Sequence, residues 1–298
     1  MTDISPLQRS DPADIGGFAL LGRLRDDERG PVFLARDAGG SHVEITWLRG
    51  GADGFGRVAA ALTAARAPSL ARVLATGVLD GRPYLVGEHV PGRPLRDAVA
   101  AGGAMTGTAL HRLAIAMASA LVGLHQNGVT HGDLHPGTVF VGDDGVRLTG
   151  YGLAGLADAG PPAPTRALGR VAYSAPEQVA GSGGGEAADV FAWAATLLYA
   201  ATGSPPFEGG STAETVSRVA RHEPDLAVLE EHLRPVVGAC LAEDPAGRPD
   251  SGEVLLRLVG HSTQSLVPDV LPAPPPTADG TGRPADGPAG PAGAAAAG

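Results

Sequence analysis

The sequence predicts an α+β chain in two parts, a small antiparallel sheet carrying one helix and then a larger, mainly helical region. From Gly17 to about Val90, short apolar runs alternate with turn residues, the mark of strands. From about Pro91 to Leu258, apolar residues recur at three and four positions, the mark of helices. After His261 bulky apolar residues nearly vanish.

Met1 to Asp14 is polar and lacks the basic stretch and apolar run that export requires, so residues 1–15 read as a flexible N-terminal segment. Strands are predicted at Phe18–Leu21, Val32–Ala35, Val43–Leu48, Val73–Leu74 and Tyr84–Val86, with Asp37-Ala-Gly-Gly40 and Asp80-Gly81 as turns. One helix, Phe55 to Arg66, interrupts them with apolar residues at Phe55, Val58, Ala59 and Leu62. Beyond Pro91, the spacing of Leu110, Leu113, Ala114, Met117, Ala118, Leu121 and Leu124 predicts a long core helix, with Thr106 or Thr108 as N-cap and Gly128 as its end. Further helices are predicted over 187–201, 213–221, 233–241 and 251–259, and Val139 to Leu148 reads as a hairpin turning at Gly142-Asp-Asp-Gly145. Residues 263–298, rich in Pro, Ala and Gly, cannot repay the entropy of ordering and are predicted to be a disordered tail.

With 22 basic and 32 acidic residues the net charge is -10, which argues against nucleic acid as a partner. An apolar fraction of 43% over 298 residues suffices for a large core. The single cysteine, Cys240, excludes an internal disulfide and suits a reducing compartment. Val190 to Thr202 is too short to span a bilayer, so no membrane span and a cytoplasmic location are expected. The histidines are scattered over different elements and suggest no metal.

Several motifs stand in a telling order: Gly81-Arg-Pro-Tyr-Leu-Val-Gly-Glu-His-Val-Pro-Gly92, His131-Gly-Asp-Leu-His-Pro-Gly-Thr138, Tyr173-Ser-Ala-Pro-Glu177, Asp189-Val-Phe-Ala-Trp193, Gly203-Ser-Pro-Pro-Phe207 and Asp244-Pro-Ala-Gly-Arg-Pro249. In this the chain resembles the protein kinase family, and most closely the kinase domains of bacterial Ser/Thr kinases, from about Phe18 to Val259. The resemblance implies a two-lobed kinase-like fold, with a β-rich small lobe at 16–90 and a helical large lobe at 91–262.

Such a fold works by cradling polyphosphate, clamping it with a lysine, holding magnesium with two side chains and orienting the accepting hydroxyl. The family's glycine-rich loop falls on Arg25-Asp26-Asp27-Glu28-Arg29-Gly30, where only Gly30 is kept and three carboxylates face the place of the phosphates. The lysine position carries Thr46, and its partner glutamate maps onto Val58. Arg23, Arg25 and Arg36 on neighbouring strands offer replacement cations, but none is favoured, because the inserted helix supplies no glutamate to position it. Glu44 takes a position that roofs the adenine, unless the strand turns it to solvent, while Phe140 takes a floor position and Gly87 the gate of the rear pocket. Asp133 stands at the position of the catalytic aspartate, though an aspartate there can also simply hold its own loop. Gly132 replaces an arginine, Thr138 the metal-binding asparagine, and Gly150-Tyr151-Gly152 the motif whose first residue is the magnesium aspartate. Glu177 is expected to pair with Arg248, and Asp189 to accept backbone hydrogen bonds from the His131 loop.

From these replacements at Gly30, Thr46, Thr138 and Gly150 the sequence reading is a pseudokinase: not an enzyme, with Asp133 insufficient alone, no metal site, and no cofactor, ATP and magnesium binding weakly or not at all. The role expected is regulatory or scaffolding, with a protein partner such as an active Ser/Thr kinase or its substrate, and with Thr165 and Ser174 as acceptors of phosphate. A small ligand in the interlobe cleft, which would make the chain a sensor, is one alternative. A divergent ATP-dependent Ser/Thr protein kinase is the other.

Overall fold

Period-two alternation sorts the first part of the chain into a sheet with one buried face. The computed structural model describes residues 4–27, 29–50, 55–153, 170–221 and 224–264. Strands β1 (Asp14–Ile15), β2 (Phe18–Asp27), β3 (Gly30–Arg36), β4 (His42–Trp47), β5 (Val73–Leu79) and β6 (Arg82–Glu88) form one antiparallel sheet in the order β1-β2-β3-β4-β6-β5. On β4, Val43, Ile45 and Trp47 are buried with Ile15, Leu20, Phe33 and Val86, which turns His42, Glu44 and Thr46 to the opposite face.

Residues 4–15, expected to be flexible, are instead tied to β2. Ser5 exchanges backbone hydrogen bonds of 2.8 Å each way with Arg23, and Asp11 pairs with the Arg23 guanidinium at 2.6 Å. The Arg23 guanidinium holds the Asp11 carboxyl below the usual carboxylate range. The polar composition that suggested looseness supplies these anchors. Of the predicted tail 263–298, residues 263–264 instead end the last helix, Ser251–Gln264; residues 265–298, Thr165 and Glu28 lie outside the described residues.

Helix α1 (Phe55–Ala64) is inserted after β4, as its spacing predicts, and buries Phe55 and Leu62. The large lobe is built on α3 (Gly107–His125) and on the helix over Glu186–Thr202, here α5. Leu110, Leu113, Met117, Leu121 and Leu124 of α3 are all buried, each contributing on the order of 2 kcal/mol. Helix α5 is buried nearly all round, and its Trp193 donates its indole N–H to the Ala114 carbonyl at 3.1 Å. Thr106 does precede α3, but its side chain makes no capping bond. By length and composition Gly107–His125, rather than 190–202, is the helix apolar enough to cross a membrane among the described residues; its packing against α5 makes it a core helix.

Three short elements have no periodic signal. Strand β7 (Arg93–Pro94) joins the predicted hairpin, β8 (Val139–Gly142) and β9 (Gly145–Leu148), in a second sheet. Helix α2 (Leu95–Gly102) follows it directly, and α4 (Pro176–Val179) is a single turn beginning at a proline. Helices α6 (Thr212–Arg221), α7 (Arg234–Cys240) and α8 (Ser251–Gln264) complete the large lobe.

The fold is thus two-lobed, strand-rich and then helix-rich, and the lobes share their main core. Leu48, Phe55, Leu62, Val73 and Leu85 of the first part belong to one apolar cluster with Leu113, Leu124, Val129, Leu148 and Tyr151 of the second.

Candidate functional site

The tip of the β2–β3 hairpin is folded back onto the end of β4. The carbonyl of Arg29 accepts from the N–H of Arg49 at 2.6 Å, and Gly30 has φ +142°, where a Cβ would lie 2.0 Å from the carbonyl oxygen of Trp47. Only glycine allows that approach. The fold-back sends the Arg29 side chain down to the large lobe, where it is only 9% exposed. Its Nη1 donates to the Gly150 carbonyl at 2.9 Å, and its Nη2 lies 2.9 Å from Asp133 Oδ2.

Asp133 faces a second guanidinium, Arg170 Nη1 at 3.1 Å. Neither nitrogen is aligned as a hydrogen bond to the buried Oδ2, so both contacts are ion pairs. His135 Nε2 lies 4.0 Å from the same oxygen, and burial pushes His135 down to about 4, leaving it neutral at pH 7. The two guanidinium groups thus reach the same carboxylate oxygen, one from the β2–β3 hairpin tip and one from the large lobe.

The loop beneath is held rigidly. Asp189 accepts the N–H groups of His131 and Gly132 at 2.6 and 2.7 Å, as the sequence predicts, and also meets His125 Nε2 at 3.0 Å. Desolvation lowers the fully buried His131 below the ordinary histidine value. Thr138 is a loop staple: its hydroxyl accepts from His135 N–H at 3.1 Å and donates to the His135 carbonyl at 2.9 Å. Gly150, at φ +71°, presents its carbonyl to Arg29, and a Cβ there would sit 3.4 Å from Arg29 Nη1. The neighbouring Tyr151 is buried and donates its hydroxyl to the Ala71 carbonyl at 2.8 Å; burial raises it to about 12.

Elsewhere in the cleft, Thr46 is half-buried between Val32 and Leu85. Glu44 does not turn to solvent: its carboxylate lies 3.1 Å from His89 Nδ1 and 3.5 Å from Arg25 Nη1, and its side chain is 13% exposed. That bond raises the His89 pKa. Phe140 is buried with Ala71 and Val90, and a Cβ at Gly87 would come 3.5 Å from the Arg72 carbonyl. Val58 packs against the main core. The scaffold pair forms as predicted, with Arg248 donating to both oxygens of Glu177.

Sequence reasoning missed Arg29 and Arg170. Arg23 is engaged by Asp11 and Asp26, and Arg25 by Glu44, whereas Arg29 reaches the Asp133 loop of the large lobe. A signal existed: Arg29 directly precedes the one retained glycine of its loop, the residue that permits the fold-back.

The described residues do not assemble a protein-built metal site. Among the described residues no group of three or more histidine, cysteine, aspartate or glutamate side chains is placed to hold a metal ion. Gly150 offers only a carbonyl, Thr138 is engaged with backbone, and a guanidinium stands between Gly150 and Asp133. These residues do not fit a protein-ligated magnesium ion, which would have to enter as the complex its nucleotide carries.

The sequence pattern of the protein kinase domain matches residues 60–257. The chain is 36% identical over 267 residues to the serine/threonine-protein kinase AfsK of Streptomyces coelicolor, covering 87% of this chain and 33% of that protein. It is 34% identical to the probable serine/threonine-protein kinase PkwA of Thermomonospora curvata, over 86% of this chain and 35% of that one. The serine/threonine-protein kinase PknF of Mycobacterium tuberculosis is 29% identical over 82% of this chain and 56% of its own length. This chain therefore spans about a third to a half of these relatives. The crystal structure of Rad53 residues 1–466 with AMP-PNP superposes with a TM-score of 0.68 at 22% identity, over 80% of this chain and 64% of that one, a likeness of fold.

These relatives overturn two expectations from the sequence. The reading as a pseudokinase without enzymatic activity conflicts with homologues that are named as serine/threonine-protein kinases along more than four fifths of this chain. The expectation that ATP and magnesium bind weakly or not at all falls with it, because that activity uses ATP. The physical reason the inference failed is that replacing the lysine by Thr46 did not strip the cleft of cations: Arg29 reaches it from another strand end.

Proposed function

This chain belongs to the protein kinase domain family, and from that premise we propose that it is a divergent ATP-dependent Ser/Thr protein kinase domain. One observation carries the reading: Asp133 is kept at the mouth of a rigid loop, partly exposed, with an arginine from the other lobe beside it. ATP supplies the phosphoryl group. In this reading Asp133 orients the accepting hydroxyl of a serine or threonine and takes up its proton, while the loop staple Thr138, bonded to the backbone of His135 and Asp133, holds the loop that carries it. The narrow cleft lined by Gly132, Asp133, Arg170, Ser174 and Gln178 is the side from which a protein substrate approaches. Lobes at 16–90 and 91–262, a protein partner that is a substrate or a further Ser/Thr kinase, and a cytoplasmic setting complete the proposal.

The test is transfer of radiolabelled phosphate from ATP, with magnesium, to the protein itself and to a generic basic protein, for wild type and Asp133→Asn. Transfer by wild type and its loss in the variant are expected. No transfer by wild type, or equal transfer by both, overturns the reading.

A further inference from the structure

We propose that Ser251 is a positioning residue for the Asp133 loop: its hydroxyl fixes the His125 ring with Nε2–H toward Asp189, and Asp189 in turn holds the backbone that leads into Asp133. The consequence for phosphoryl transfer rests on the kinase reading, whereas the chain of hydrogen bonds does not.

Three helix ends meet at this point. His125 closes α3, Asp189 lies in the first turn of α5, and Ser251 opens α8. His125 Nδ1 is 2.9 Å from Ser251 Oγ, and its Nε2 is 3.0 Å from Asp189 Oδ2. A ring turned over would set carbon atoms against both partners, so the two contacts together choose its orientation. The His125, Asp189 and Ser251 side chains are all buried, which makes each of these bonds costly to leave unmade.

The direction of each bond follows from what its atoms can give. Asp189 Oδ2 already accepts the His131 N–H at 2.6 Å, and a carboxylate oxygen only accepts, so Nε2 carries the ring proton. Nδ1 then presents its lone pair, and the Ser251 hydroxyl donates to it. A serine at a helix start ordinarily serves as its cap. In α8 that role falls to Asp250, whose Oδ1 accepts the Glu253 N–H at 2.8 Å, and the Ser251 hydroxyl is turned inward instead. Glu186 Oε2, 4.0 Å from His125 Nδ1, is beyond hydrogen-bond reach.

Without the hydroxyl, the buried Nδ1 loses its donor and the ring regains the form with its proton on Nδ1. That form turns the Nε2 lone pair against the Asp189 carboxylate. The carboxylate must shift, and with it the His131 and Gly132 amides that it holds at 2.6 and 2.7 Å. Asp133 is the next residue of that loop.

The experiment is nitrogen NMR of the full chain labelled in its histidines, with the His125 signals assigned by their loss in His125→Gln. Hydrogen exchange at the His131 and Gly132 amides, and kcat and KM for ATP, are measured beside it for wild type, Ser251→Ala, Ser251→Thr and the exposed α8 control Arg257→Ala. In wild type, Nδ1 is expected to read as unprotonated and Nε2 as protonated. Ser251→Ala should move Nδ1 toward the protonated form and speed exchange at the two amides by about fivefold or more, the scale of one hydrogen bond. It should lower kcat by about tenfold with KM for ATP unchanged, as a small misplacement of a reacting group does. Ser251→Thr, which keeps the hydroxyl, should restore all three readouts, and Arg257→Ala should move none of them. A serine that served stability alone would lower the melting temperature and leave the ring signals in place. A wild-type ring protonated on Nδ1, or His125 signals unchanged in Ser251→Ala, overturns the proposal. If wild type transfers phosphate and Ser251→Ala matches its kcat, the positioning role falls while the kinase reading stands. If the ring and the amides respond as expected but wild type transfers nothing, the positioning of the loop stands and the kinase reading falls.

Discussion

Arg248 holds Glu177 through two guanidinium nitrogens, at 2.8 and 3.0 Å, and with the same group donates to the carbonyls of Ala242, Ala187 and Glu243. One buried side chain thereby ties α4, α5 and the stretch after α7 together. Its guanidinium also lies over the Phe191 ring, 5.1 Å from the centroid. Glu177→Ala leaves that cation buried without its counter-charge and should cost roughly 3 kcal/mol of stability. Urea unfolding measures this; a loss below about 1 kcal/mol would show the pair to be dispensable.

Asp189→Ala removes the acceptor of the His131 and Gly132 amides and the partner of His125. Two orphaned buried N–H groups should cost a few kcal/mol and release the loop that carries Asp133. Hydrogen exchange at those two amides should accelerate by more than tenfold, well beyond any change within α5. Unchanged protection there would contradict the account of the loop.

Stability should fall on acidification from about pH 6.5 to pH 4. His135, depressed by burial to about 4, contributes stability that is complete above the unfolded histidine value of 6.5 and is lost as pH falls through its folded value. The Gly137 N–H donates to His135 Nδ1 at 3.0 Å, a contact that suits the neutral ring. His89, raised by Glu44, acts in the opposite sense, contributing below 6.5 and losing that contribution as pH rises through its folded value. His135→Gln should flatten the acid limb, and Glu44→Gln should weaken the contribution that His89 makes below 6.5. Thermal melts across pH 4–8 read both. An acid limb unaltered in His135→Gln would contradict the burial argument.

Gly30→Ala forces a methyl against the Trp47 carbonyl at a φ that L residues rarely adopt. The hairpin tip must open, costing about 1–3 kcal/mol. Arg29 should withdraw from Asp133, and the Arg49 amide, released from the Arg29 carbonyl, should exchange with solvent more than tenfold faster. Unchanged protection of that amide would mean that the tip does not open.

The helices with strong period and the strands with turn residues between them were legible from sequence: the spacing on α3, the run on α5 and the Asp80-Gly81 turn each mark their element within a few residues. Strand β7 was not, because two residues, one of them proline, carry no alternation; nor was α4, a single turn. The ties of residues 4–15 were hidden because Asp11 and Ser5 look like solvent-facing residues until Arg23 is placed beside them. In the site, the pairs Glu177–Arg248 and Asp189–His131 could be read by motif. The reach of Arg29 could not, since an arginine at a hairpin tip is ordinarily hydrated, and only the backbone fold-back at Gly30 decides otherwise.

The apolar seam shared by the two lobes also sets how the cleft can move. At its rear, Leu62 and Val129 close on Gly152, where a Cβ would meet them at 2.4 and 3.2 Å, and Tyr151 is latched to Ala71. At its front Arg29 joins the halves through its ion pair with Asp133 and its hydrogen bond to the Gly150 carbonyl. The molecule is hinged like a book with a greasy spine and an ionic clasp. Salt acts weakly on a clasp so far removed from solvent and not at all on a spine, so screening loosens the mouth less than it would an exposed ion pair and leaves the alignment of the two covers unchanged.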